Sequence, residues 1–169
     1  MAGSPLRDPI LLDFVDDIPV ARLAPLHRVQ RAIALISDAI RRTVAQGHPH
    51  LLVDAGDVSF DPPSLAVRLS MVREWAEAAD GRLRIAVVVR PDCIDPDRFG
   101  VVAAGNFGLA GQVFDREADA IAWLRAELEA DRRTGIADRR RTVRDPAAGE
   151  SLPHDKKERP GHPGRPSAT

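Results

Sequence analysis

Cysteine is nearly absent from this chain, since Cys93 is the only one among 169 residues. An intramolecular disulfide is therefore impossible, and a reducing compartment is expected. The chain also has no apolar run long enough to span a bilayer. Its N-terminus has no apolar stretch of the kind found in a secretory signal peptide. Together these absences predict a cytoplasmic protein.

Recognisable catalytic and cofactor motifs are missing as well. The glycines between Gly100 and Gly111 do not follow a strand and open a helix, as a dinucleotide-binding loop requires. His27 stands at a predicted helix start without a neighbouring serine or cysteine. A general base acting on Ser59 or Ser64 would depend on a geometry that the sequence does not give. We therefore predict a protein that is not an enzyme and that has no cofactor.

Charge divides the chain into two parts. Residues 1–132 contain 15 basic and 20 acidic residues, a net charge of −5, whereas residues 133–169 contain 9 and 5, a net charge of +4. The acidic body makes nucleic acid an unexpected partner for the folded domain. From Arg132 onward large apolar residues almost vanish, and such a segment buries too little surface to offset its ordering entropy. We predict one domain over 8–132 and a disordered, basic, solvated tail over 133–169.

Apolar residues along 10–131 alternate between the spacings of strands and of helices. The run Leu83 to Val89 is apolar without interruption, which is typical of a parallel strand covered on both faces. The predicted fold class is α/β, with an N-terminal β-hairpin followed by β-α units. The expected sheet is mixed and covered by about four helices. The predicted strands are 10–14, 18–23, 51–53, 83–89 and 112–114; the predicted helices are 26–46, 62–79, a short one through Phe99, and 117–131.

The segment 51–64 carries the strongest indication of a site. Its apolar strand ends at Asp54, and Asp61-Pro62-Pro63 is a helix-start signal. Aspartate accepts hydrogen bonds from first-turn amides, and proline needs no amide partner there. The positive end of a helix would then face the carboxyl end of a strand, where α/β proteins commonly bind ligands. The predicted binding residues are Asp57, Ser59, Asp61 and Ser64.

The second predicted helix has a clear apolar face. Four residues at helical spacing share it, and Gly81 follows shortly after its end. These residues are Leu65, Leu69, Val72 and Trp75.

Metal binding is an alternative near the segment 51–64. Asp54, Asp57 and Asp61 would offer oxygen ligands to a divalent cation, which needs several that converge. A strand end, a turn and a helix cap explain the same three residues without a ligand. His48 and His50 flank a proline that directs their side chains apart, as in a solvent-exposed loop. We therefore predict no metal site.

Two stretches of the chain carry a family resemblance. The sequence Leu-Leu-Val-Asp-Ala-Gly-Asp-Val-Ser-Phe-Asp at 51–61, with the order of elements, resembles the STAS domain of anti-anti-sigma factors. More narrowly, it resembles the SpoIIAA-like group of small bacterial proteins, which are often grouped with CRAL-TRIO lipid-transfer domains. Residues 94–100 and 113–124 look like the Phe-Gly helix and the terminal helix of that group. The resemblance covers about residues 8–130.

The resemblance implies a non-catalytic interaction module. In the phospho-regulated members the strand-end loop runs Asp-Ser-Ser-Gly, and a partner kinase phosphorylates a serine in it. The matching segment here is Asp61-Pro62-Pro63-Ser64, so the hydroxyls of that phospho-switch are absent. We expect a regulatory protein partner or a small ligand to bind at the strand-end loop and the helix N-terminus.

The alternative function is that of a carrier for a small apolar ligand, such as a lipid or an isoprenoid. Kinship with CRAL-TRIO domains suggests it, and the apolar strands and helix faces would line the pocket. Against it, about 130 ordered residues with an aromatic content of 4% leave little volume beyond a packed core.

Overall fold

Five strands and four α-helices alternate over residues 10–134, the part of the chain that the computed structural model describes. The predicted element order and the α/β fold class are confirmed. The predicted tail lies outside the described residues, except for residues 133 and 134, which end the last helix. The elements are β1 (Ile10–Val15), β2 (Ile18–Leu23), α1 (Val29–Ala45), β3 (His50–Asp54), α2 (Leu65–Ala79), β4 (Arg84–Val88), a 3-10 turn (Pro91–Cys93), α3 (Phe99–Asn106), β5 (Ala110–Phe114) and α4 (Glu117–Thr134).

The strands form one mixed sheet in the order β1-β2-β3-β4-β5. β1 and β2 are antiparallel and are joined by the predicted hairpin turn, in which Asp16 has a φ of 53°. The other neighbouring pairs are parallel, and each parallel step is made through a helix. The carboxyl ends of β2 to β5 therefore lie at one edge of the domain, together with the loops that follow them.

The two faces of the sheet carry different layers. Leu51 and Val53 of β3 join a large core with α1, α2 and α3, whereas Leu52 belongs to a smaller core beneath α4. Successive crossovers in one direction place their helices on one face, and α4 returns across the other. β3 and β4 are thus covered on both sides, which the uninterrupted apolar sequence of β4 predicts. Among the described helices, none is both long and apolar enough to cross a membrane.

Helix α4 is held across its face of the sheet by one arginine at each end. Arg22 of β2 donates to Glu117 at 2.6 and 2.8 Å, and this hydrogen bonding lowers the pKa of Glu117. Arg84 of β4 donates to Asp131 at 2.7 and 3.1 Å and pairs with Glu127 at 2.9 Å. The hydrogen bonds from Arg84 to Asp131 raise the pKa of Arg84. These arginines fix the direction of α4, which runs antiparallel to β2, β3, β4 and β5.

Loss of the arginine at the buried end of α4 should destabilise the domain. The side chain of Asp131 is only 5% exposed, so Arg84→Met would leave a carboxylate in the core without its guanidinium. We expect the free energy of unfolding to fall by about 2 kcal/mol, less than for a fully buried pair because Arg84 keeps some contact with water. Denaturant unfolding at pH 7 measures this change.

The matched control for this prediction is Arg125→Met on the same helix. Arg125 pairs with Asp16, but both side chains are more than half exposed. Its loss should cost less than about 1 kcal/mol. Equal destabilisation by the two variants would contradict the role assigned to Arg84.

Candidate functional site

The candidate site is built on the β3–α2 loop, residues 55–64, at the carboxyl edge of the sheet. Backbone hydrogen bonds hold its first half. The amide of Ala55 donates to the carbonyl oxygen of Val88 at 2.9 Å and so extends the parallel pairing beyond β3. The amide of Ser59 donates to the carbonyl oxygen of Leu26, also at 2.9 Å. The loop is therefore fastened to β4 on one side and to the entry of α1 on the other.

Arg90, just after β4, binds the middle of this loop through two carbonyl oxygens. Its Nη1 donates to the oxygen of Val58 at 2.8 Å, and its Nη2 donates to that of Phe60 at 3.3 Å. Asp92 accepts hydrogen bonds from the same guanidinium at 3.1 and 3.0 Å, which raises the pKa of Arg90 and lowers that of Asp92. This role cannot be predicted from the sequence, because a guanidinium that binds distant carbonyl oxygens leaves no spacing pattern.

Arg68, in the first turn of α2, holds the end of the loop. Its Nε donates to the carbonyl oxygen of Pro63 at 2.9 Å, and its Nη1 contacts the carboxylate of Asp95 at 2.8 Å. Only about a fifth of either charged side chain is exposed. The ion pair therefore ties the start of α2 to the loop that precedes α3.

Side chains of the β3–α2 loop divide into an inner and an outer set. Val58 is 3% exposed and points inward, as do the half-buried Phe60 and Pro63. The outer set is exposed to solvent and contains all four predicted binding residues. The loop thus presents a polar surface on a backbone that its inner side chains and two arginines hold in place. The outer residues are Asp57, Ser59, Asp61, Pro62 and Ser64.

Helix α2 begins later than the sequence predicts, and Asp61 is not its cap. The helix starts at Leu65, and Ser64 is its N-cap. The Ser64 hydroxyl oxygen accepts a hydrogen bond from the amide of Val67 at 3.4 Å. The cause is the double proline, because a residue that precedes proline is disfavoured in the helical conformation. Asp61 and Pro62 both precede a proline, so neither residue favours the helical conformation. The prediction that Asp61 caps this helix was wrong.

The predicted apolar face of α2 is only partly buried. Val72 and Trp75 are buried at 4% and 6% exposure, as expected for the apolar face. Leu65 and Leu69 of the same predicted face are 59% and 42% exposed. They lie on the first two turns of the helix. An apolar surface therefore adjoins the outer residues of the β3–α2 loop.

Asp54 has a structural role at the end of β3. Its Oδ2 accepts a hydrogen bond from Nη1 of Arg22 at 2.9 Å, and its Oδ1 accepts one from the amide of Gly56 at 3.1 Å. Within residues 10–134, no group of three or more histidine, cysteine or acidic side chains is placed to hold a metal ion. His48 lies against the ring of Phe14, with centroids 5.5 Å apart.

Beneath the β3–α2 loop lies a cavity of about 140 Å³. Its walls are almost entirely apolar and come from the loop, the sheet and the three helices of the larger core. Trp75 forms part of them, and its indole nitrogen lies 3.4 Å from the carbonyl oxygen of Ile33. The charged side chains that line the cavity are Arg68, Asp95 and Arg98.

The structure brings His27 together with Ser59 and not with Ser64. The Oγ of Ser59 lies 2.8 Å from Nδ1 of His27 and 3.4 Å from the carbonyl oxygen of Leu26. Both side chains are exposed, and among the described residues no carboxylate orients the imidazole. The amide of Ser59, which a nucleophile loop would direct at an oxyanion, already donates to Leu26. The pair therefore serves as a tether between the loop and α1.

Comparisons with known proteins find similarity among solved structures. No family model matches the chain, and no curated protein matches it. One similar structure is an anti-sigma factor antagonist from Mycobacterium paratuberculosis, with 20% identity and a TM-score of 0.47 over 69% of this chain and 92% of that one. Another is the anti-sigma factor antagonist SpoIIAA in its unphosphorylated form, with 21% identity and a TM-score of 0.38 over 69% and 97%.

Because the contact between Ser59 and His27 serves only to hold the loop, removing the Ser59 hydroxyl should leave the rate of ester hydrolysis unchanged. Ser59→Ala and the wild-type protein should release p-nitrophenol from p-nitrophenyl acetate at the same rate. Without an oriented imidazole and free oxyanion donors, the hydroxyl is not activated. His27→Ala provides a second comparison. If the wild-type protein releases p-nitrophenol in a burst or at a steady rate that both variants lose, Ser59 acts as a nucleophile and its structural role is contradicted.

Proposed function

We propose that this protein is a non-catalytic interaction module that binds a partner protein at its carboxyl edge. The contact surface combines the outer residues of the β3–α2 loop with Leu65 and Leu69 of α2. The exposure of those two leucines carries the proposal. They lie one helical turn apart on the same side of α2 and are about half exposed, although the rest of their apolar face is buried.

The rigidity of the loop supports this assignment. Its backbone is held by Arg90, by Arg68 and by the Ser59 amide, so docking need not first order it. A surface that is already ordered loses less conformational entropy on binding. Such a loop is suited to recognition through its outer side chains.

Charge indicates the chemistry of the partner. Asp57 and Asp61 are exposed, and among the described residues neither has an ion-pair partner. Two carboxylates beside two leucines fit a partner surface with basic residues around an apolar recess. A regulatory protein of that chemistry is the partner that we propose.

The proposal includes no phosphorylation switch at the loop prolines. Pro62 and Pro63 have no hydroxyl, and the hydroxyl of Ser64 caps α2 by accepting the amide of Val67. The oxygen of Ser64 is therefore engaged at the helix start. We propose that docking here is constitutive.

A second candidate function is the binding of a small apolar ligand, and the cavity beneath the loop favours it. Its volume of about 140 Å³ exceeds what a fully packed core would leave. This function uses the inner side of the β3–α2 loop, whereas protein docking uses the outer side.

Substitution of the exposed leucines should abolish docking without unfolding the protein. We expect Leu65→Gln/Leu69→Gln to reduce the recovery of a bound partner from the native host at least about tenfold, because two apolar contacts are lost. Tagged full-length protein, pull-down and quantitative mass spectrometry measure this recovery. Asp57→Arg/Asp61→Arg should reduce recovery of the same partner.

Phe107→Gln is the matched control for the leucine variant. Phe107 is 44% exposed, close to the value for Leu69, but it lies at the far end of α2 beside Glu77 and Asp80. It should leave recovery unchanged. Recovery of the same partner at wild-type levels with both the leucine and the aspartate variants, all of them folded by circular dichroism, would refute the docking surface.

A further inference from the structure

The size of the apolar cavity limits what it can hold. A cavity of about 150 Å³ in a protein core is large enough for benzene. At about 140 Å³, this cavity has room for an apolar group of roughly six to eight carbon atoms. A long acyl chain or an isoprenoid exceeds this volume. A carrier of a lipid or an isoprenoid would therefore leave part of its ligand outside the cavity.

The charged groups at the cavity leave one cation without a partner. Arg68 and Asp95 neutralise each other through their contact at 2.8 Å. Arg98 also lines the cavity, and among the described residues no carboxylate pairs with its guanidinium. An anionic group at this place would meet a net positive charge beside an apolar interior.

The backbone of Arg98 is held in an unfavourable conformation. Its φ of 52° and ψ of 30° are left-handed, although arginine has a long side chain and no special tolerance for this region. The other described non-glycine residues with positive φ are Asp16 and Asp80, both in turns, where aspartate is tolerated. Residues strained in this way cluster at ligand-binding sites. Glycine at position 98 would relieve the strain, yet the chain has an arginine there.

We propose that the cavity binds a small monocarboxylate with an apolar tail of about six to eight carbons, whose carboxylate pairs with Arg98. The tail would occupy the space beneath Val58 and Phe60, against Trp75. The carboxylate would remain at the opening, where the guanidinium supplies charge-assisted hydrogen bonds. This inference rests on the second proposed function, apolar-ligand binding, and is independent of protein docking.

Titration calorimetry with octanoate and 1-octanol tests the proposal on the full-length protein. The two probes have the same tail, so their difference measures the carboxylate. We expect octanoate to bind about tenfold more tightly than 1-octanol, the scale of one charge-assisted hydrogen bond. Arg98→Gln should remove this difference by weakening octanoate alone. Arg41→Gln, which changes an exposed arginine near the end of α1, should leave both affinities unchanged.

Two further variants separate loss of binding from loss of folding. Arg98→Gly removes the cation but relieves the left-handed strain, so its melting temperature should equal or exceed that of the wild type while octanoate binding weakens. Ala32→Leu places three more carbons into the cavity wall and should abolish binding of both probes. Ala32 is 3% exposed and lines the cavity.

The only cysteine reports where octanoate binds. Cys93 lines the same cavity, so octanoate should slow its alkylation by iodoacetamide in the wild type. The same concentration of octanoate should not slow alkylation of the Ala32→Leu variant. Intact-mass spectrometry follows the reaction without interference from another thiol.

Three outcomes would overturn the proposal. Equal affinities for octanoate and 1-octanol would leave apolar-ligand binding intact but would refute the pairing of the ligand carboxylate with Arg98. Palmitate binding as tightly as octanoate would refute the size limit. Absence of binding by either eight-carbon probe would refute both the ligand class and the second proposed function.

Discussion

The guanidinium of Arg90 is the contact on which the candidate site depends. It joins the end of β4 to the carbonyl oxygens of Val58 and Phe60, and Asp92 holds it in position. Without this contact, a loop of this length would sample many conformations. Each binding event would then have to order the loop, at a cost in conformational entropy. With the two carbonyls fixed, the side chains of the loop have defined directions. The cavity and the exposed surface are both consequences of that fixation.

The two proposed functions use opposite sides of one backbone. Val58 and Phe60 line the cavity, while Asp57 and Asp61, which flank them in the sequence, are exposed to solvent. Arg68 connects the two sides, because it binds the carbonyl of Pro63 and also lines the cavity. A ligand beneath the loop would therefore touch the same structural supports that position the docking surface. Protein docking and ligand binding are nevertheless separable by mutation, since they use different side chains.

Local signals predicted the fold well. Apolar periodicity located every strand and helix, and the uninterrupted run of β4 correctly indicated a strand covered on both faces. The site was only partly predictable. Steric restriction by Pro62-Pro63 outweighed the capping tendency of Asp61. Leu65 and Leu69 are exposed although they share the helical spacing of the buried Val72 and Trp75, which periodicity cannot reveal. The pairings of Arg90 with Val58, and of His27 with Ser59, join residues about 30 positions apart and arise only from the topology.

Amide hydrogen exchange of the Arg90→Gln variant tests the central role of this contact most directly. In the wild type, the Ser59 amide should exchange slowly, because it donates to Leu26 within a fixed loop. In the variant, the amides of Val58 and Ser59 should exchange at least about tenfold faster, while those of β3 and β4 stay protected. Unchanged exchange throughout the loop, in a variant that remains folded, would show that Arg90 does not hold it and would contradict the account.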